Sequence, residues 1–171
     1  MRKLVLALIV AAALAVPTLA LDRPAAPSSN IVETAIAVNS SGPYAGAFDT
    51  LICLVANNPA ILATLSSKGQ YTVFAPTDAA FGQLGINSSN CARLASRPLI
   101  TWVLLYHVAP GQRDAADVTT SSRIRMLNGW STRISTNGSA YFVNRAKIIA
   151  TDIFASNGVI HAIDKVLLPS S

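Results

Sequence analysis

The side chains able to do chemistry are few. Two histidines (His107, His161), two cysteines (Cys53, Cys91) and eight carboxylates are spread over 171 residues. A metal centre would need an imidazole joined by further ligands at short, regular spacing. No His-x-His, Cys-x-x-Cys or His-Glu-x-x-His is present. Folding can bring Asp78, Asp152 and Asp164 to a histidine, but it can do the same for any three acids in a domain this size. Both histidines sit among apolar neighbours, the pattern of structural imidazoles with satisfied hydrogen bonds. A hydrolase would use His107 or His161 as base beside a strained elbow such as Gly-x-Ser-x-Gly, which is absent. No phosphate-cradling loop or dinucleotide fingerprint occurs either. The chain reads as non-catalytic, with no metal and no cofactor.

Its N-terminal segment points to export. Arg2 and Lys3 precede an uncharged apolar run over 4–16, and Thr18-Leu19-Ala20 supplies small residues for cleavage, so 1–20 reads as a signal peptide. An uncleaved anchor is the other reading, although the run is short for a span. The expected location is secreted and extracellular, or periplasm or cell surface in a bacterium. Removing Arg2 and Lys3 leaves 11 basic against 8 acidic residues, a net charge of +3. The arginines are scattered without a dense run, which favours a solvated basic surface suited to acidic polysaccharide or anionic surfaces and argues against nucleic acid. In an exported chain Cys53 and Cys91 suggest one disulfide rather than two buried thiols. Asn39, Asn87 and Asn137 each begin an Asn-x-Ser sequon, a candidate glycan site in a eukaryotic secretory pathway.

Residues 21–28 read as a Pro- and Ser-containing arm. Helices are expected over 31–38, 45–56, 59–65 and 78–84, a single turn over 91–95, and a helix from Pro98 with Trp102 and Leu105 on its buried face. Thr77 is placed to cap the helix at Asp78. Strands are expected over 71–75 and 106–109. After Gly111 the pattern is all strand, over 124–127, 131–135, 140–143 and 147–153. The last strand lies in 157–169, begun by the Asn157-Gly158 turn, apolar on both faces and ended by Pro169. Helices first and strands second indicate an α+β domain over 29–169.

Three blocks carry a family resemblance: Tyr71–Leu84 (Tyr-Thr-Val-Phe-Ala-Pro-Thr-Asp-Ala-Ala-Phe-Gly-Gln-Leu), Leu104–Gly111 (Leu-Leu-Tyr-His-Val-Ala-Pro-Gly) and Asn157–Pro169. In order and spacing they resemble the signatures of the fasciclin (FAS1) domain. The resemblance implies a twisted wedge or sandwich of about seven strands with a helical layer, and a stand-alone secreted adhesion-type or ligand-binding module. Its partners would be a cell-surface protein, matrix or polysaccharide.

The same resemblance makes two segments candidates for partner contact. Tyr106-His107 among aliphatic residues, and Asp152-Ile153, are similar to pairs assigned to integrin contact in animal members of the family. Both pairs also suit packing, and packing is the favoured reading. His107 then needs a hydrogen-bond partner, for which Thr77 and Asp78 are the candidates. The alternative function is a soluble carrier of an apolar ligand such as a carotenoid, which some secreted fasciclin proteins of green algae bind. Its cleft would draw on Phe48, Ile52, Val55, Leu84 and Trp102, and would open between 39–47 and 85–97, where Gly, Pro, Ser and Asn concentrate.

Overall fold

The computed structural model describes residues 26–169, so the leader over 1–20 and most of the arm lie outside the described residues. Three helices come first. α1 (Ile31–Ser40) starts at a reciprocal cap in which Asn30 accepts from the Glu33 N–H while Glu33 accepts from the Asn30 N–H. α2 (Asp49–Ala56) begins four residues later than expected, because Gly46 has φ +69° and breaks the helical path. Phe48 cannot cap it, so the Asp78 carboxylate accepts from the Thr50 N–H across the fold at 2.8 Å. α3 (Pro59–Ser66) has Asn58 as its cap and Pro59 in its first turn.

β1 (Tyr71–Pro76) leads through Thr77 into α4 (Asp78–Gly82), where the Thr77 hydroxyl accepts from the Ala80 N–H. α5 (Cys91–Ala95) and α6 (Pro98–Leu105) follow. α6 buries Val103 and Leu104, whereas Trp102 and Leu105, expected on that face, are half-buried. β2 (Val108–Pro110) is shorter than expected, since Tyr106 ends the helix and His107 occupies the turn.

One element was not expected: α7 (Ala115–Thr120) lies where only strands were anticipated. Asp114 caps it by accepting from the Asp117 N–H, and Val118 anchors its single buried position. The hydroxyls of Thr119, Thr120 and Ser121 turn back onto carbonyls one turn earlier. Then come β3 (Arg123–Arg125), β4 (Ser131–Thr136), β5 (Tyr141–Val143), β6 (Ala146–Ala155) and β7 (Gly158–Ile163).

The seven strands run in the order β2-β1-β7-β6-β5-β4-β3. β7 is central, parallel to β1 and antiparallel to β6, and every one of its residues is buried. Its alternation feeds two cores. Ile160 and Ala162 join Val73 and Ala75 under the helices, while Ile163 joins Phe74, Val118, Ile124 and Val143 on the other face. Near the edges of the sheet the Leu127 N–H donates to the Val108 carbonyl at 2.8 Å, which draws β2 and β3 together without closing the sheet.

β7 stops at Ile163, not Pro169. Asp164 ends it by accepting from the Lys147 N–H, and the chain then leaves the sheet. Gly158 starts it at φ +153°, with the Tyr71 carbonyl oxygen only 2.0 Å from where a Cβ would stand. No side chain fits there.

Candidate functional site

The two imidazoles stitch backbone to backbone. His107 is 2% exposed; its Nδ1–H donates to the Val103 carbonyl at 2.8 Å, and its Nε2 accepts from the Leu167 N–H at 2.8 Å. The expected partners Thr77 and Asp78 are engaged at helix starts instead. His107 therefore clamps the end of α6 to the tail that follows β7. Burial drives its pKa down to about 4, only partly offset by the bond to Val103. His161 uses the opposite tautomer. Its Nε2–H donates to the Arg113 carbonyl at 2.9 Å, and its Nδ1 accepts from the Asp152 N–H at 3.3 Å. Burial lowers its pKa too, against the raising effects of the Arg113 carbonyl, Asp152 and Asp114. Both rings are neutral at physiological pH and have no free nitrogen.

The residues expected to meet a partner are committed in the same way. Tyr106 is 3% exposed; its hydroxyl donates to the Ser131 carbonyl and accepts from Asn144 Nδ2, both at 3.1 Å. Asp152 takes φ +60° in the irregular stretch of β6, where its carboxylate accepts from the Ala115 N–H at the start of α7. Ile153 is half-buried against the helical core. Among the described residues, no three His, Cys, Asp or Glu are grouped to hold a metal ion.

An apolar cavity of about 70 Å³ lies between α1, α2, α3, α6 and the β1–β7 centre of the sheet. Ile31, Val32, Ile52, Val55, Leu104 and His107 are among the residues that line it. Of the five residues expected around a cleft, Ile52 and Val55 are on this cavity. Phe48 is buried at a smaller void beside it. Leu84 is exposed at a separate groove with Leu99 and Leu168, and Trp102 packs edge-on against Trp130 at 5.6 Å between centroids. The lining includes no residue of 39–47 or 85–97, so the cavity does not open where the cleft was expected.

Comparison with known proteins places this architecture. A fasciclin domain model matches residues 46–169. The chain belongs to the fasciclin family. Its fold is also similar to a FAS1 domain pair from the insect cell adhesion molecule fasciclin I, with a TM-score of 0.61 at 17% identity over 84% of this chain and 52% of that one. Protein sll1483 of Synechocystis is 33% identical over 92% of this chain and 90% of its own length. Immunogenic protein MPB70 of Mycobacterium bovis is 34% identical over 66% of this chain, which spans 57% of that protein. Transforming growth factor-beta-induced protein ig-h3 of rabbit is 36% identical over 62% of this chain, but only 15% of that protein is covered.

In this fasciclin domain the Cys53–Cys91 disulfide joins α2 to the first residue of α5. The sequons differ in availability. Asn87 and Asn137 are exposed in turns, whereas Asn39 is half-buried. Its Nδ2 donates to Asp49 at 2.7 Å and its Oδ1 accepts from the Phe48 N–H, so a glycan there competes with the α1–α2 junction. Sequence reasoning missed Asn157 as more than a turn residue. It is 5% exposed, accepts from the Ile31 N–H, and donates to the Leu65 and Ser67 carbonyls. One amide thus joins the start of α1, the end of α3 and the β6–β7 turn. Asn58 does similar work, capping α3 while donating to Ala95 and Thr101.

Proposed function

We propose that this fasciclin protein is a secreted, non-catalytic binding module that works by surface contact with matrix, polysaccharide or a cell-surface protein. The observation that carries the reading is the commitment of every imidazole nitrogen to a backbone partner, which leaves neither histidine free as base, nucleophile or ligand. Burial and the bonds of Tyr106 and His107 favour a scaffold role for that pair, as the Asp152–Ala115 bond and the packing of Ile153 do for the other, so contact falls to the outer surface. The likeness to an insect cell adhesion molecule favours the same class of role. The test is attachment: purified protein coated on a surface should retain cells or matrix extract, and the H161Q variant should do so equally well while folded. A hydrolytic activity lost in folded H161Q would overturn the reading.

A second reading, a carrier for an apolar ligand such as a carotenoid, is favoured by the apolar cavity under α1. That cavity, at about 70 Å³, is smaller than the ~150 Å³ that holds a benzene ring. A polyene therefore requires the cavity to widen. Mixing the protein with a carotenoid should give a coloured, soluble species if this reading holds, and insoluble pigment if it does not.

A further inference from the structure

The stretch from Ser121 to Thr151 contains no acidic residue and five basic ones, Arg123, Arg125, Arg133, Arg145 and Lys147. It forms β3, β4, β5 and the first half of β6. Arg123 and Arg125 flank buried Ile124 and so share the outer face of β3. Arg133 stands directly opposite Arg123 across the ladder and is exposed on that same face. Adjacent strands are ~4.8 Å apart and alternate residues ~6.8 Å apart, so three guanidinium stems crowd one small area. Like charges directly opposite each other destabilise a ladder, and no carboxylate lies in these strands to offset them.

The band continues past the hairpin. Asn144 is bonded to Arg133 through both backbone and side chain, at 2.7 and 2.8 Å. Its neighbour Arg145 is exposed and, with Lys165, borders a groove of about 340 Å³ floored by Val166, Leu167 and Leu168. Protecting an edge strand from pairing accounts for charges on β3. It does not account for Arg133 on an interior strand, or for Arg145 and Lys165 beyond it.

We propose that Arg125, Arg123, Arg133, Arg145 and Lys165 form a track for a linear acidic polysaccharide, bearing carboxylate or sulfate groups along its length. This rests on the binding-module reading above and names its partner. Guanidinium forks match carboxylate and sulfate oxygens in two-point hydrogen bonds, and arginine supplies four of the five cations. Cations that run from β3 across β4 to the β5–β6 turn fit an extended chain laid across the strands. Exposed Trp130 and Tyr141 border the same strands and Leu168 the groove, so a membrane and a nucleic acid are the rival occupants that the test has to exclude.

The test uses the purified protein against immobilised dextran sulfate and polygalacturonate, with phosphatidylserine vesicles and duplex DNA as competing surfaces. Neutralising the track in R123Q/R125Q/R133Q should weaken polysaccharide binding about tenfold, equivalent to about 1.4 kcal/mol. The matched triple K68Q/R93Q/R97Q removes the same charge from exposed sites on the helical side and should change it less than twofold. R145Q/K165Q, away from the β3–β4 ladder, should weaken it several-fold and serves if the first triple fails to fold. Equal losses from both triples would reduce the effect to net charge and overturn the track. Preference for vesicles or DNA over both polysaccharides would overturn the choice of partner. Cell attachment that persists without polysaccharide binding would sink the track but leave the module standing; wild-type protein that attaches to nothing would sink both.

Discussion

Acidification should destabilise this domain through His107. In the folded state the ring is neutral, donating through Nδ1 and accepting through Nε2, and its pKa lies at about 4 against 6.5 for a free imidazole. Between those two values the unfolded chain binds a proton that the folded chain refuses. Stability is therefore fully present above pH 6.5 and is lost as pH falls toward 4. The integrated loss is about 3 kcal/mol, of which about 2 kcal/mol has gone by pH 5. His161, also depressed by burial, adds loss in the same direction. Urea unfolding midpoints at pH 7.5, 6.5, 5.5 and 5.0 measure this directly. The H107Q variant should start lower at pH 7.5, because an amide lacks the ring that spans from the Val103 carbonyl to the Leu167 N–H, and should then fall less steeply with acid. A folded-state ring titration near 6.5, or wild-type stability unchanged between pH 7.5 and 5.0, would refute the account.

Other expectations follow from single contacts. Gly158→Ala should cost more than ~3 kcal/mol or prevent folding, since its Cβ overlaps the Tyr71 carbonyl; a soluble, cooperatively melting variant would show that β1 can move. Cys53→Ser should lower stability by up to about 4 kcal/mol on the chain-entropy estimate for a separation of 38 residues, read as the shift in denaturant midpoint. In the native protein, alkylation under non-reducing, denaturing conditions should label neither cysteine. Asn157→Ala should cost ~2–4 kcal/mol by leaving a buried N–H and two carbonyls unpaired, with hydrogen exchange rising first at the start of α1.

What could be read from the sequence was local. The helix start at Thr77, the Asn157-Gly158 turn and the two-faced apolar strand all announce themselves within a few residues, whereas the cap at Asn58 does not. What was misread depends on distant partners. β7 was expected to run to Pro169 because Val166, Leu167 and Leu168 continue its apolar pattern, but His107 captures the Leu167 N–H from sixty residues away. α7 was hidden by its β-branched residues, and its signal was the Asp114-x-x-Asp117 spacing of a helix cap. The partner of His107 had a nearer clue than Thr77 or Asp78. An imidazole just past a helix end can reach the carbonyl four residues back, and here that carbonyl is Val103.

The same logic explains why the cationic track was invisible along the chain. Arg123, Arg133, Arg145 and Lys165 are separated by 10 to 20 residues, which reads as scatter. A meander returns the chain beside itself once per hairpin, so residues one hairpin apart become neighbours across a ladder. Arg123 meets Arg133 around the Asn128-Gly129 turn, and Arg133 meets Asn144, beside Arg145, around the Asn137-Gly138 turn. Hairpin length therefore sets the spacing of the charges, and the turns that fix it are themselves legible. The inner face of these strands gives up its side chains to packing, leaving Thr132, Ile134 and Val143 with no more than slight exposure. Recognition has only the outer face left to use, and that face is where the arginines stand.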